Sequence, residues 1–252
     1  MGANCARFRR PPIRLFYTIG AMQRRDFLRL CTASAASGAA PALAADATAH
    51  FYARARLVDD SGAPLHARSI APHRNLVFHY PYATTPCFLL NLGRPAIGAT
   101  RLRTADRRDY AWQGGVGAGR SIVAYSAICA HQLSYPTREI SFISYRRETS
   151  ARNPHGNVIH CCSEHSQYDP AAGGRVVAGP APQPLAAILL EHDAASDELV
   201  ALGTLGGEMF NQFFRKYEFR LALEHTGAAR RAVSGSATVT ALENYCRQQV
   251  KC

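Results

Sequence analysis

Two stretches of this chain decide its fold: SIVAYSAICAHQLS, residues 121–134, and NVIHCCSEHSQYD, residues 157–169. Each begins with apolar, aromatic and β-branched residues over the length of a strand. Each strand then runs into a loop that carries cysteine and histidine, as C-x-H at Cys129 and His131 and as C-x-x-H at Cys162 and His165. The pattern predicts two strand ends that each offer one thiolate and one imidazole.

Similar short apolar runs, separated by turn residues such as Asp60-Ser61-Gly62 and Gly93-Arg94-Pro95, occur along most of the chain. The further strand candidates are residues 75–80, 87–92, 140–145, 185–191 and 198–202. Strands do not alternate with helices, so the sequence predicts an all-β fold in one unit, residues 45–252. Near the end, Ser236 is predicted to cap a short C-terminal helix over residues 237–249.

Two cysteines and two histidines match the ligands of a Rieske centre, which raise its reduction potential above that of a four-cysteine ferredoxin. Gly179-Pro180-Ala181-Pro182 follows the second loop and precedes an apolar strand. In this order and spacing, residues 121–191 resemble the Rieske family, which in cytochrome bc complexes and arsenite oxidases covers its cluster with such a proline loop.

The resemblance implies an antiparallel β sandwich with a cluster-binding part at residues 121–191 and a C-terminal tail at 204–252. It also implies a cofactor, one [2Fe–2S] cluster. The implied ligands are Cys129, His131, Cys162 and His165, and the implied outer contacts are Ser166, Tyr168 and Pro180. In relatives the serine and tyrosine hydroxyls bond to cluster or ligand sulfur and raise the potential.

The chain departs from that family pattern in three ways. Thirty residues separate His131 from Cys162, and the excess lies in the arginine-bearing polar loop 146–157, which is either a solvated loop or a partner-docking feature. The positions of the disulfide that ties the two loops in relatives are here Ser134 and Glu164. The serine and tyrosine, residues 166 and 168, lie one residue nearer to the histidine of their loop than in the family.

Other interpretations of the same residues stay open. Zinc also accepts two cysteines and two histidines, and a Cys–His pair can form a nucleophile with its base. Within His160-Cys161-Cys162, Cys162 is preferred as the ligand because it keeps the family's C-x-x-H spacing, whereas Cys161 would give C-x-x-x-H. The zinc interpretation explains the ligands but not the proline loop.

Four more cysteines lie in the part of the chain after residue 44, and an exported protein tends to pair them. The preferred pairs are Cys246–Cys252, at the end of the tail, and Cys87–Cys161, between two strands. The alternative for Cys87 and Cys161 is a pair of buried free thiols.

Much of the positive charge lies at the N-terminus. The chain has a net charge of +11, and residues 1–44 hold seven arginines and only one acid, Asp26. The mildly basic remainder argues against nucleic-acid binding and suits an acidic protein partner or a membrane surface. Arg24-Arg25 before a small-residue stretch and Ala42-Leu43-Ala44 resemble a twin-arginine leader and its cleavage site. We therefore expect a periplasmic protein, with translation starting at Met1 or Met22 and with membrane retention as the minority expectation.

Three functions compete on this basis. The preferred one is an exported electron-transfer subunit, rather than a self-sufficient catalyst, that serves a molybdenum oxidase or a c-type cytochrome. The second is the Rieske subunit of a quinol–cytochrome c reductase, which would accept electrons from quinol and needs a membrane anchor. A Rieske oxygenase is disfavoured, because the residues after the proline loop are too few for a second iron domain.

Overall fold

The computed structural model describes residues 49–252, and they form an all-β fold, as predicted. The strands are β1 Ala49–Val58, β2 Leu76–His79, β3 Pro86–Asn91, β4 Thr100–Arg103, β5 Asp109–Trp112, β6 Ile122–Ser126, β7 Ile140–Ser141, β8 Ile143–Arg146, β9 Val158–Cys161, β10 Ser166–Asp169, β11 Arg175–Ala178, β12 Ala187–Asp193, β13 Glu198–Leu205, β14 Gly235–Thr238, β15 Thr240–Ala241 and β16 Gln248–Gln249. The leader predicted for residues 1–44 lies outside the described residues.

Three short α-helices and two 3₁₀ turns complete the described elements. They are α1 Phe210–Lys216, α2 Glu218–His225 and α3 Leu242–Tyr245, with 3₁₀ turns at Ala67–Ser69 and Pro170–Ala172. Within residues 49–252, no helix combines the length and the hydrophobicity needed to cross a membrane.

The largest sheet has eight strands in the order β14-β1-β13-β12-β6-β3-β2-β15. Its two edge strands, β14 and β15, are separated in the chain only by Val239, whose backbone N–H donates to the Val58 carbonyl at 2.8 Å. The sheet therefore curls until its edges meet, which leaves few unpaired strand edges. Most neighbouring strands are antiparallel, and β1 with β14 is a parallel pair.

Both faces of this sheet are covered, because alternate residues of a strand point to opposite sides. On β3, Cys87 and Leu89 contribute to the cluster inside the curled sheet, whereas Phe88 and Leu90 contribute to a second cluster outside it. The second sheet, in the order β11-β10-β9-β8, packs on that outer cluster. A continuous apolar core thus joins the strand that precedes each cysteine–histidine loop.

The predicted tail helix over residues 237–249 is wrong. Residues 235–241 form β14 and β15, and the helix α3 that follows is only four residues long. The reason is tertiary, because β14 pairs with β1 and β15 pairs with β2, and these ladders outweigh a weak local helix preference. The longer helices, α1 and α2, lie earlier in the tail, where no helix was predicted.

Replacing Leu89 with alanine should lower the free energy of unfolding by about 2–5 kcal/mol, because the side chain is completely buried and its loss leaves a cavity. The same change at Leu223, which is 67% exposed on α2, should cost no more than about 0.5 kcal/mol. Equilibrium urea unfolding of the two variants measures both values. Equal losses in the two variants would contradict the core placed inside the curled sheet.

Candidate metal centre

The two loops predicted to carry ligands follow strands of different sheets. The first follows β6 and contains Cys129, and the second follows β9 and begins at Cys161, the last residue of that strand. Both sulfur-bearing side chains are buried, with 1% and 0% exposure respectively. The Cys129 and Cys161 thiols lie close enough for their interaction to be the largest cause of the pKa shift of each, so the structure brings these two residues together.

The two loops present their sulfurs in the same way. The backbone N–H groups of the second and third residues after Cys129 donate to its sulfur, and those of the second and third residues after Cys161 do the same. In each loop the fourth residue is left-handed, with φ of 60° at Leu133 and 59° at His165. This matching geometry makes Cys161 the counterpart of Cys129.

Cys162, which was predicted as a ligand, points elsewhere and is joined to Cys252 by a disulfide with a Cα–Cα distance of 5.7 Å. In that state its sulfur is not a thiolate, so the structure differs from the prediction at this residue. The cause is the alternation of a strand, because Cys161 is directed into the core and its neighbour is directed away from it. One signal pointed to this outcome: Ser166 and Tyr168 are one residue too near His165, but the family spacing holds if it is counted from Cys161.

The disulfide also corrects both predicted cysteine pairs. Cys252 is bonded to Cys162 and not to Cys246, and Cys87 and Cys161 are free thiols. The alternative interpretation of Cys87 and Cys161 as buried free thiols is the one that matches the structure. Cys246 is also a free, buried thiol and donates to the Leu242 carbonyl at 3.3 Å.

The tyrosine predicted beside the centre lies in contact with it. The Tyr168 hydroxyl is 3.2 Å from the Cys129 sulfur and accepts a hydrogen bond from the Ala130 backbone N–H at 3.1 Å. A thiolate can only accept, so the Tyr168 O–H donates to the sulfur whenever Cys129 is deprotonated. Burial, with the neighbouring Cys129 second, raises the pKa of Tyr168 well above its usual range, so the group stays a neutral donor.

The two buried thiols share one proton-binding equilibrium. The hydrogen bond with Cys161 is the largest cause that lowers the pKa of Cys129 to about 6, with further help from Tyr168 and the two backbone N–H groups. The same hydrogen bond, followed by burial, raises the pKa of Cys161. The site therefore holds one negative charge readily and takes a second only if a cation compensates it.

Both predicted histidines have a buried nitrogen without a partner. The Nδ1 atoms of His131 and His165 and the hydroxyl of Ser166 are buried and make no hydrogen bond within the described residues. Such groups cost about 1–3 kcal/mol each when they stay unsatisfied. Two cysteine thiols and two imidazole nitrogens are the ligand types of a mixed cysteine–histidine iron–sulfur centre, and the chemistry of the residues present fits that group.

The predicted proline loop lies against the second of these loops. Gly179 has φ of 85°, and a Cβ atom placed on it would lie 2.5 Å from the His165 carbonyl oxygen and 2.6 Å from the Ser166 Cα. Only glycine allows this approach of the two backbones. Pro180, the next residue, is exposed.

A single metal ion would find a different set of ligands. Among residues 49–252, the one group of three metal-ligating side chains within 4.8 Å of one another is His160, His165 and Cys252. Cys252 is held in the disulfide, and burial first, then its neighbour His165, lowers the pKa of His160 to about 4. The predicted ligands do not meet around one point, as zinc would require.

Comparison with known proteins leaves the family open. No protein-family model matches the chain. Among solved structures, the chain is similar to the soluble domain of the Rieske protein II (soxF) from Sulfolobus acidocaldarius, with 23% identity, a TM-score of 0.42, and coverage of 62% of this chain and 82% of that one. These values are too low to show the family.

Replacing Cys252 with serine should lower the free energy of unfolding by about 2–5 kcal/mol, because the disulfide closes a segment of 90 residues. Urea unfolding with and without a thiol reductant measures the effect. The reductant should bring the unmodified protein close to the variant and leave the variant unchanged. If peptide mapping under non-reducing conditions links Cys252 to Cys246 instead, the disulfide described above is wrong.

Proposed function

We propose that this chain is an electron-transfer protein that holds a Rieske-type [2Fe–2S] cluster. The observation that carries the proposal is the pair of matched loops, each of which turns backbone N–H groups onto one buried cysteine sulfur. We assign the thiolate ligands to Cys129 and Cys161 and the imidazole ligands to His131 and His165. When bound, the cluster supplies a centre that gains or loses one electron at a time.

The protein's own groups define what such a centre would meet. Backbone N–H groups and the Tyr168 hydroxyl point at sulfur and favour negative charge there, which favours the reduced state. The buried Ser166 hydroxyl has no partner among residues 49–252 and could donate a hydrogen bond to the inorganic core. The Nδ1 atoms of His131 and His165 also have no partner there and could bind its iron.

The cell location and partners belong to the same proposal. Export through a twin-arginine leader fits a cofactor that is inserted before the folded protein leaves the cytoplasm, and it makes the chain periplasmic. A molybdenum oxidase or a c-type cytochrome fits as the redox partner, because both exchange single electrons with an exposed centre. Isolation of the native complex from the periplasmic fraction identifies the partner.

Serine at Cys129 or at Cys161 should abolish the electron paramagnetic resonance signal of the reduced protein and reduce iron and acid-labile sulfide to near zero, because one iron loses a thiolate. The double variant Cys162→Ser/Cys252→Ser should keep the signal, because those sulfurs form the disulfide. A Cys246→Ser variant controls for loss of a buried thiol. The unmodified protein should show the low average g-value of mixed histidine and cysteine ligation.

Two results would contradict the assignment. If the purified protein contains zinc and no acid-labile sulfide, it does not bind the proposed cluster. A cluster that survives Cys161→Ser but is lost in the Cys162 double variant would restore Cys162 as the ligand and would mean that the disulfide is absent from the loaded protein.

Replacing Tyr168 with phenylalanine should lower the midpoint potential by an amount on the order of tens of millivolts, because the reduced state loses one hydrogen bond to ligand sulfur. Iron and sulfide content should stay close to that of the unmodified protein. Redox titration followed by visible circular dichroism measures the shift. A Tyr125→Phe variant is the control, because that buried hydroxyl donates to the Pro170 carbonyl at 2.8 Å and not to sulfur.

A further inference from the structure

The long polar loop between β8 and β9 is an ordered structure that folds back onto the second ligand loop. Ser150 and Asn153 exchange backbone hydrogen bonds of 2.9 and 3.0 Å, and the Asn153 amide donates to the Glu148 carbonyl at 3.0 Å. The side-chain amide of Gln167, on β10, donates to the carbonyl of Arg152. These contacts fix Arg152 at the tip of the loop, beside the candidate centre.

The side chain of Arg152 reaches the outer nitrogen of a proposed ligand. Its Nη1 atom lies 2.6 Å from Nε2 of His165. A guanidinium can only donate, so Nε2 of His165 accepts this hydrogen bond and offers no N–H at that position. In the neutral imidazole the inner nitrogen, Nδ1, then carries the proton, and it is the buried atom without a partner in the described part of the chain. That proton leaves to solvent when Nδ1 binds a metal, so the loaded His165 would carry a negative charge that faces the guanidinium of Arg152.

We infer that Arg152 is a positioning residue that holds the His165 imidazole by its outer nitrogen and closes that nitrogen to outside molecules. The inference rests on the proposed function for the role of His165. It narrows that function, because a quinol or another small hydrogen-bonding donor cannot use His165 while Arg152 occupies it.

The charge of Arg152 has a second consequence at the same site. A fixed positive charge in contact with a ligand imidazole favours the state of the centre that carries one more electron. Loss of that charge should reduce the equilibrium constant for reduction about tenfold, and a tenfold change corresponds to a potential lower by about 59 mV for one electron.

The test compares Arg152→Gln with Arg147→Gln, which removes the same charge from an exposed side chain of the same loop. Diethyl pyrocarbonate, which modifies unprotonated imidazole nitrogens, should modify His165 several-fold faster in Arg152→Gln than in either the unmodified protein or Arg147→Gln. The rate at His131 serves as the internal reference. The potential should fall only in Arg152→Gln, and Arg152→Lys should recover part of the potential but less of the protection.

Equal modification of His165 in all variants would overturn the inference, as would an equal potential shift in Arg147→Gln. The modification experiment is also done on iron-free protein, in which Nε2 of His165 is still covered by Arg152. If the unmodified protein binds no iron and no sulfide, the proposed function is rejected. If His165 of the iron-free protein is modified as fast with Arg152 present as in Arg152→Gln, the inference about Arg152 is rejected.

Discussion

The requirement to bury two cysteine sulfurs and still stabilise negative charge on them shapes this end of the molecule. A buried thiolate is costly unless hydrogen-bond donors face it, and here each sulfur receives two backbone N–H groups from its own loop. The backbone can direct successive N–H groups inward only by turning sharply, and the left-handed residues Leu133 and His165 complete those turns. The shape of the loops and their chemistry thus follow from one constraint.

The relative position of the two sulfurs depends on packing between the sheets, since their strands belong to different sheets. Tyr125 on β6 and Tyr168 on β10 are both fully buried in the cluster that joins them. Each also makes a hydrogen bond across the junction, the first to the Pro170 carbonyl and the second to the Cys129 loop. A side chain of one sheet therefore contacts the loop of the other sheet directly. A change in the packing of the core would shift the positions of the two sulfurs.

The sequence predicted the strands well and the site incompletely, for physical reasons that differ. Runs such as residues 75–80 and 87–92 coincide with β2 and β3 because both faces of these strands are buried and their residues are almost continuously apolar. The choice between Cys161 and Cys162 depended on the strand's last paired residue, which spacing to His165 does not specify. The contact of Arg152 with His165 depends on the fold of a polar loop, which carries no periodic pattern to interpret.

The chain after β13, which the sequence analysis predicted only as a tail, holds each ligand loop by a different kind of contact. On the first loop, Leu133 packs with Phe213 of α1, and Lys216 donates to the Gln132 carbonyl at 2.6 Å. On the second loop, the disulfide from Cys252 anchors Cys162. Because neither Ser134 nor Glu164 can form a disulfide between the loops, these anchors add to the Tyr168 contacts and the packing between the sheets in holding the loops in place. A tail that contacts both loops restrains each of them where a direct disulfide between the loops is absent.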